Sequence, residues 1–184
     1  MENILNQIRE FADHAHGDQT RKYTPERYIV HPVRVMETLR SYDLGLPVLA
    51  AALLHDVLED TTTTSQEIVL FLRTLMDNKE AEETVSLVEE LTDVYVKSDY
   101  PQWNRKYRKM KELDRIAKTS PTSQTIKYAD IIDNTNEITI KDPDFAPRYL
   151  KECLQILQVA DKGNKELHKR ALDGIKAGLD QLKR

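Results

Sequence analysis

The most constraining feature of this sequence is an unbroken apolar run that ends in two polar side chains. Every residue from Val48 to Leu54 is Val, Leu or Ala, and His55 and Asp56 follow directly. A segment that is apolar on all sides is typical of a helix buried at the centre of a globular protein. Imidazole and carboxylate groups are costly to bury without a partner, so their position at the end of this run calls for an explanation.

The rest of the chain also has helical rather than strand periodicity. Apolar side chains recur every three or four residues, as in Ile4, Ile8 and Phe11, and no segment alternates convincingly with a period of two. Thr64 with Glu67 forms a capping-box pattern, which marks a helix start. The sequence predicts an all-α fold, a single domain over residues 1–184 built as a bundle of about eight helices. One of these helices is expected to run unbroken over residues 46–59.

Composition excludes several classes of protein. The net charge of −4 and the pI of about 5.8 argue against a general nucleic-acid binder, which usually carries a basic surplus. No apolar run reaches the length of about 20 residues that a membrane helix needs. The single cysteine, Cys153, excludes an internal disulfide and fits a cytoplasmic location. Nothing in the sequence indicates an oligomeric partner.

Carboxylate side chains repeat at helical spacing after the His55–Asp56 pair. Glu59 lies four residues after His55 and Asp60 four after Asp56, so each pair would share one helix face. Groups of these types repel one another or stay unpaired at close range unless a cation joins them. The ordinary alternative is a core histidine with hydrogen-bonding partners and an aspartate that caps the helix.

Two further segments offer ligands of the same types. Asp130 and Asn134 lie four residues apart in another predicted helix, and His31 stands at a helix start. Taken singly, Asp130 would be a surface acid of an amphipathic helix and His31 a loop histidine. The candidate metal ligands are His31, His55, Asp56 and Asp130. Two imidazoles and two carboxylates fit one divalent ion, with Mn²⁺ the best match and Fe²⁺, Co²⁺, Zn²⁺ and Mg²⁺ also compatible.

Three segments together resemble a known family. They read AHGDQTRKYTPERYIVHPVRV over 15–35, AALLHDVLEDT over 51–61 and IKYADIIDNT over 126–135. The spaced His, His-Asp and Asp match the ligand signature of the HD superfamily. The longer segments resemble the hydrolase domain of RelA/SpoT-type alarmone enzymes over nearly the whole chain. The resemblance is strongest to the small stand-alone alarmone hydrolases, which have no synthetase domain.

This resemblance implies a Mn²⁺-dependent hydrolase that removes pyrophosphate from the 3′ position of ppGpp or pppGpp. The four candidate ligands would hold the ion, and Glu59 and Asp60 would orient and deprotonate the attacking water. The residues that would contact the substrate are Arg21, Lys22, Arg105, Lys106, Asn134 and Tyr149. The expected binding partner is therefore a small nucleotide, and neither a nucleic acid nor a membrane.

The sequence departs from the family pattern at three places. Arg27 stands where the family usually has Pro, and this extra cation is expected to contact phosphate or alter the base pocket. Tyr128 replaces the Leu of a KLAD segment and is expected to add a ring beside the site. Residues 95–103 form an insertion that is expected to cover the pocket.

These departures leave two other functions open. One is an HD-type phosphatase that acts on another nucleotide, such as NADPH or a nucleoside phosphate. The other is a regulatory module that binds metal or nucleotide without turnover. Degenerate HD domains usually lose a metal ligand or the acid pair. Here the four candidate ligands and the pair Glu59 and Asp60 are all present, which favours an enzyme.

Overall fold

The computed structural model describes residues 1–183, and its architecture confirms the all-α prediction. Those residues form ten helices and no strand, apart from an isolated bridge between Thr20 and Arg27. The chain divides into two compact units, Met1–Thr92 and Asp93–Arg184. A single domain over the whole chain therefore stays a prediction. None of the helices within residues 1–183 combines the length and apolar character needed to cross a membrane.

The first unit is built around the apolar run. Its helices are α1 (Glu2–His16), α2 (Val30–Arg40), α3 (Leu46–Leu54), α4 (Val57–Asp60), α5 (Ser65–Leu72) and α6 (Asn78–Leu91). Helix α3 packs against α1, α2 and α6. Residues Val48–Leu54 are all buried, as their apolar character on every side predicts. The Thr64–Glu67 capping box is present at the start of α5.

The predicted helix over residues 46–59 is interrupted at His55 and Asp56. Helix α3 ends at Leu54, Asp56 adopts φ −98° and ψ −5°, and α4 begins at Val57. Consecutive side chains of a regular helix do not face each other. At this interruption the two adjacent side chains nevertheless approach each other, with Oδ2 of Asp56 3.0 Å from Nε2 of His55.

The second unit contains the second predicted ligand helix. Its helices are α7 (Arg105–Ile116), α8 (Pro121–Lys141), α9 (Ala146–Val159) and α10 (Lys165–Gln181). Helix α8 packs against α9 and α10, and α7 packs against α9. Ser120 caps α8 by accepting a hydrogen bond from the Ser123 amide, and Pro121 occupies the first turn, where its missing N–H costs nothing.

Tyr128 belongs to the core of this unit, so the expectation of a ring beside the site is wrong. Its side chain is fully buried. The hydroxyl donates to the Ala160 carbonyl at 2.6 Å and accepts from the Gly163 amide at 3.2 Å. Tyr128 therefore anchors the joint between α9 and α10. Burial raises the pKa of its phenol above the usual value, which keeps the hydroxyl protonated as this donor.

Candidate metal centre

Two buried histidines meet in the first unit. His31 lies in the first turn of α2 and His55 directly follows α3. Their side chains are only 1% and 2% exposed, and their ring centroids are 5.1 Å apart. His31 is therefore not a solvated loop histidine, whereas the burial of His55 fits a metal ligand and a core histidine alike.

The Asp56 carboxylate completes a three-residue cluster. Its Oδ2 lies 3.0 Å from Nε2 of His55 and 3.7 Å from Nε2 of His31. One ligand atom from each residue lies within 4.8 Å of the other two. The structure thus brings together three of the four predicted ligands, with two imidazole nitrogens and one carboxylate oxygen converging on a small volume.

The hydrogen bond on the far side of His55 fixes which ring nitrogen can act as a ligand. Nδ1 lies 2.8 Å from the carbonyl oxygen of Ala52. Because a carbonyl only accepts, Nδ1 carries the proton and Nε2 presents a lone pair in the neutral ring. That lone pair faces Oδ2 of Asp56, which is also an acceptor. Either a proton or a metal cation must therefore lie between them, and this donor set suits a divalent ion.

A loop that sequence reasoning treated mainly as a connection supports this centre. Tyr28, which follows the Thr20–Arg27 bridge, donates its hydroxyl to Oδ2 of Asp56 at 2.8 Å. The ring of Tyr28 also packs against that of His16, with centroids 4.5 Å apart. No pattern in the sequence points to Tyr28, because its separation of 28 residues from Asp56 carries no periodic signal.

The predicted catalytic pair lies on the short helix α4. Glu59 and Asp60 are both exposed, so water has access to their carboxylates. Gln19 donates its Nε2 to Oδ2 of Asp60 at 3.0 Å. Their catalytic role stays a prediction, and Gln19 is a contact that the sequence analysis missed.

The two basic residues of this loop differ in their surroundings. Arg21 is buried, and its guanidinium carbon lies 5.5 Å from the centroid of the Tyr28 ring. Lys22 is exposed, and its Nζ donates to the Tyr23 hydroxyl at 2.8 Å. The structure thus links Arg21 to the metal-binding cluster through Tyr28, whereas Lys22 contacts its neighbour in the loop.

Arg27 contacts the C-terminal end of α1, and its expected role toward phosphate or the base pocket stays a prediction. Its Nε donates to Oδ1 of Asp13 at 2.9 Å, and its Nη2 donates to the Gly17 carbonyl at 3.1 Å. The hydrogen bond and charge of Asp13 raise the pKa of the guanidinium above its ordinary value. The extra cation thus ties the loop to the C-terminal end of α1.

The fourth predicted ligand, Asp130, lies buried in the second unit. Its Oδ2 is 2.9 Å from Nζ of Lys127, and Nδ2 of Asn134 donates to Oδ1 at 2.6 Å. Asp130 and Asn134, which the sequence places on one helix face, are thus in contact, and the contact of Asn134 with substrate stays a prediction. Asn134 holds the carboxylate from the next turn of α8.

Asp130 also lines a cavity of the second unit together with Tyr149, another predicted site residue. Lys109, Lys127 and Cys153 lie in the same wall. The cavity holds about 120 Å³, less than the roughly 300 Å³ of typical small-molecule sites. Burial raises the pKa of the Cys153 thiol to about 12, which excludes a thiolate nucleophile near neutral pH.

Arg105 and Lys106 do not line this cavity. They border an open groove between α7 and α9. Arg105 donates to both carboxylate oxygens of Glu152, at 2.8 and 2.6 Å, so much of its charge is already matched. Arg105 and Lys106 thus border the groove and not the cavity of Asp130 and Tyr149, although Lys109 and Glu152 line both. Their contact with substrate stays a prediction.

The insertion forms an aromatic cluster. The rings of Tyr100 and Trp103 stack with centroids 4.5 Å apart, and Tyr95 stacks on Trp103 at 5.9 Å. Tyr107, in the first turn of α7, meets the Trp103 ring edge-on at 4.7 Å. The segment is thus held to α7 by ring packing, and its role as a cover stays a prediction.

Comparison with known proteins gives a consistent family. The HD domain family matches residues 9–159. The guanosine-3′,5′-bis(diphosphate) 3′-pyrophosphohydrolase MESH1 of Xenopus tropicalis is 32% identical over 166 residues, covering 87% of this chain and 84% of the relative. The Mus musculus MESH1 is 34% identical over 139 residues, covering 73% of this chain and 69% of the relative.

Longer relatives and a solved structure extend this comparison. A guanosine-3′,5′-bis(diphosphate) 3′-pyrophosphohydrolase of Aquifex aeolicus is 32% identical over 152 residues, or 83% of this chain, which spans 20% of that relative's length. A solved structure, described as a metazoan ortholog of SpoT that hydrolyzes ppGpp, shares the fold with a TM-score of 0.79. The match covers 96% of both chains at 23% identity. The chain belongs to the HD-domain family, in the group that contains these MESH1 proteins.

Proposed function

We propose that this protein is a divalent-metal-dependent hydrolase that converts ppGpp and pppGpp to GDP and GTP with release of pyrophosphate. The observation that supports it best is the approach of His55 Nε2 to Asp56 Oδ2 at 3.0 Å, with His31 beside them. Two acceptors at this distance in a buried site require a proton or a metal cation between them, and this donor set suits a divalent ion. The MESH1 relatives are named as hydrolases of this substrate. Mn²⁺ is the proposed ion on ligand type.

The proposed ligand set comprises the three clustered residues and Asp130. Asp130 is included on the motif match alone. When bound, a divalent ion supplies a Lewis acid that polarises phosphate and lowers the pKa of water. The variant Asp130→Asn keeps the size of the side chain but removes its negative charge. Its affinity for Mn²⁺, measured by titration calorimetry, should therefore fall at least tenfold.

Side chains of the protein would accept the proton of the attacking water and neutralise the charge of the substrate. Glu59 and Asp60 accept a proton from the attacking water, whose oxygen forms a bond to the phosphorus attached to the ribose 3′ oxygen. The bond from that phosphorus to the 3′ oxygen breaks, and the 3′ oxygen takes up a proton as pyrophosphate leaves. Arg21 and Lys22 offset the negative charge of the diphosphate, which is the main requirement of phosphoryl transfer.

The direct test is turnover of ppGpp by the purified protein with Mn²⁺, compared with a panel that includes pppGpp, NADPH and nucleoside phosphates. The variant Glu59→Gln should lower kcat about 100-fold or more, because it removes a proton acceptor, while Mn²⁺ still binds. Glu83→Gln, an exposed acid of α6, is the matched control and should keep full activity. Firm Mn²⁺ binding without ppGpp turnover would reject the proposed substrate, and turnover of another nucleotide would support the phosphatase alternative.

A further inference from the structure

Gln19 joins a buried histidine to the carboxylate of Asp60. Its Nε2 donates to Oδ2 of Asp60 at 3.0 Å, and Nδ1 of His16 lies 2.9 Å from its Oε1. We propose that Gln19 is a positioning residue that orients the Asp60 carboxylate for hydrolysis. This inference rests on the proposed function, because Asp60 must act on the attacking water for its orientation to matter.

The chemistry of the three groups allows a single arrangement of hydrogen bonds. A carboxylate only accepts hydrogen bonds, so the NH₂ end of the Gln19 amide must face Asp60. The carbonyl end then faces His16, and Nδ1 of that ring must carry the proton. Because each group fixes the next, the Gln19 side chain cannot flip without losing both hydrogen bonds.

The surroundings hold this arrangement in place. His16 is 6% exposed, and its ring packs on Tyr28 with centroids 4.5 Å apart, so it has little room to rotate. The backbone of Gln19 is also fixed on both sides. Its N–H donates to the His16 carbonyl at 3.1 Å, and its carbonyl accepts from the Tyr28 amide at 2.9 Å.

Asp60 needs such a partner because it is exposed at the end of the four-residue helix α4. An exposed carboxylate samples several rotamers, and each non-productive one lowers the fraction of molecules ready to react. With Oδ2 engaged by Gln19, the geometry leaves Oδ1 to accept the proton of the water. The same loop supplies Tyr28 to Asp56, so one segment orients both carboxylates.

The kinetic test compares Gln19→Leu with Gln7→Leu. Gln7 lies on α1, and within residues 1–183 its side-chain amide bonds only to the Asn3 carbonyl of its own helix, so it controls for the loss of an amide. A hydrogen bond to an exposed charged group is worth about a tenfold change, so Gln19→Leu should lower kcat about tenfold. The KM for ppGpp and the calorimetric affinity for Mn²⁺ should stay within about twofold, because neither depends on Asp60 orientation.

A double-mutant cycle separates positioning from a general loss of structure. If Gln19 acts through Asp60, adding Gln19→Leu to Asp60→Ala should lower kcat no further. A further tenfold loss in the double variant, or a normal kcat in the single one, would overturn the inference while the proposed function stands. A wild-type protein that hydrolyses no nucleotide of the panel would overturn both.

A measurement without turnover tests the contact itself and does not need the Gln19 variant to fold. The side-chain NH₂ signals of Gln19 in a ¹⁵N–¹H spectrum should move when Asp60 is replaced by Ala, while those of Gln7 stay fixed. Unchanged Gln19 signals would show that the hydrogen bond is absent in solution and would reject the positioning role.

Discussion

Tyr28 contacts the cluster of His31, His55 and Asp56 through its hydroxyl group. It donates to Oδ2 of Asp56, the same oxygen that lies nearest to the histidine nitrogens. A donor at this position restricts the rotation of the carboxylate and fixes where its remaining lone pairs point. Groups that orient metal ligands in this way influence affinity although they do not touch the ion.

Replacing Tyr28 by Phe removes this donor and keeps the ring that packs on His16. The affinity for Mn²⁺ should fall about 10- to 100-fold, the range typical of residues that orient ligands. Titration calorimetry on the purified variant measures it. Tyr23→Phe, in the same loop, should bind Mn²⁺ as the wild type does, and equal affinity in both variants would contradict the role given to Tyr28.

Cys153 offers a second test at the level of one side chain. Its raised pKa, about 12, leaves very little thiolate at pH 8, whereas an unfolded cysteine has a pKa near 8.5 and is partly ionised. Labelling by iodoacetamide should therefore be slow in the native protein and fast in guanidinium chloride. Equal rates in the two states would show that the thiol is accessible and its pKa normal.

Among the helices, the joint between α9 and α10 depends on the absence of a side chain. A Cβ on Gly163 would lie 2.6 Å from a ring carbon of Tyr128 and 2.9 Å from the backbone nitrogen of Thr125. A backbone atom cannot move aside as a flexible side chain can. Helices α8 and α10 can pack closely here only with Gly at this position.

Gly163→Ala should lower the free energy of unfolding by about 1–3 kcal/mol, the usual cost of overpacking. Gly174→Ala is the control, since a Cβ at that position of α10 meets no atom within 4 Å. An unstrained helical Gly→Ala change gains about 0.5–1 kcal/mol. Urea unfolding of the two variants should thus shift in opposite directions, and a shift in the same direction would contradict the contact assigned to Gly163.

For the whole molecule, a metal that binds only the folded chain must stabilise it. At 100 times its Kd a ligand adds about 2.7 kcal/mol, or about 5–10 °C in Tm for a chain of this size. Scanning calorimetry with Mn²⁺ and with EDTA measures this shift. In Asp56→Asn, which keeps the side-chain volume and loses the charge, the shift should largely disappear; an unchanged shift would place the bound ion elsewhere.

Local patterns in the sequence suffice to predict the all-α fold and the residue types of the site. Apolar periodicity and caps such as Thr64 and Ser120 act within a few residues, so they are visible in the chain alone. The pairing of Asp130 with Asn134 is equally local, because it follows from one helical turn. A motif also selected His31, His55 and Asp56, which the structure brings together.

Which distant groups meet depends on the folded chain as a whole. Gln19 contacts Asp60 across 41 positions, and Tyr28 contacts Asp56 across 28. No periodicity links such residues, because the path of the loop and the packing of α1 bring them together. The hydroxyl of Tyr128 likewise meets Ala160 and Gly163, which lie 32 and 35 positions away, so its burial also depends on contacts that local periodicity does not reveal.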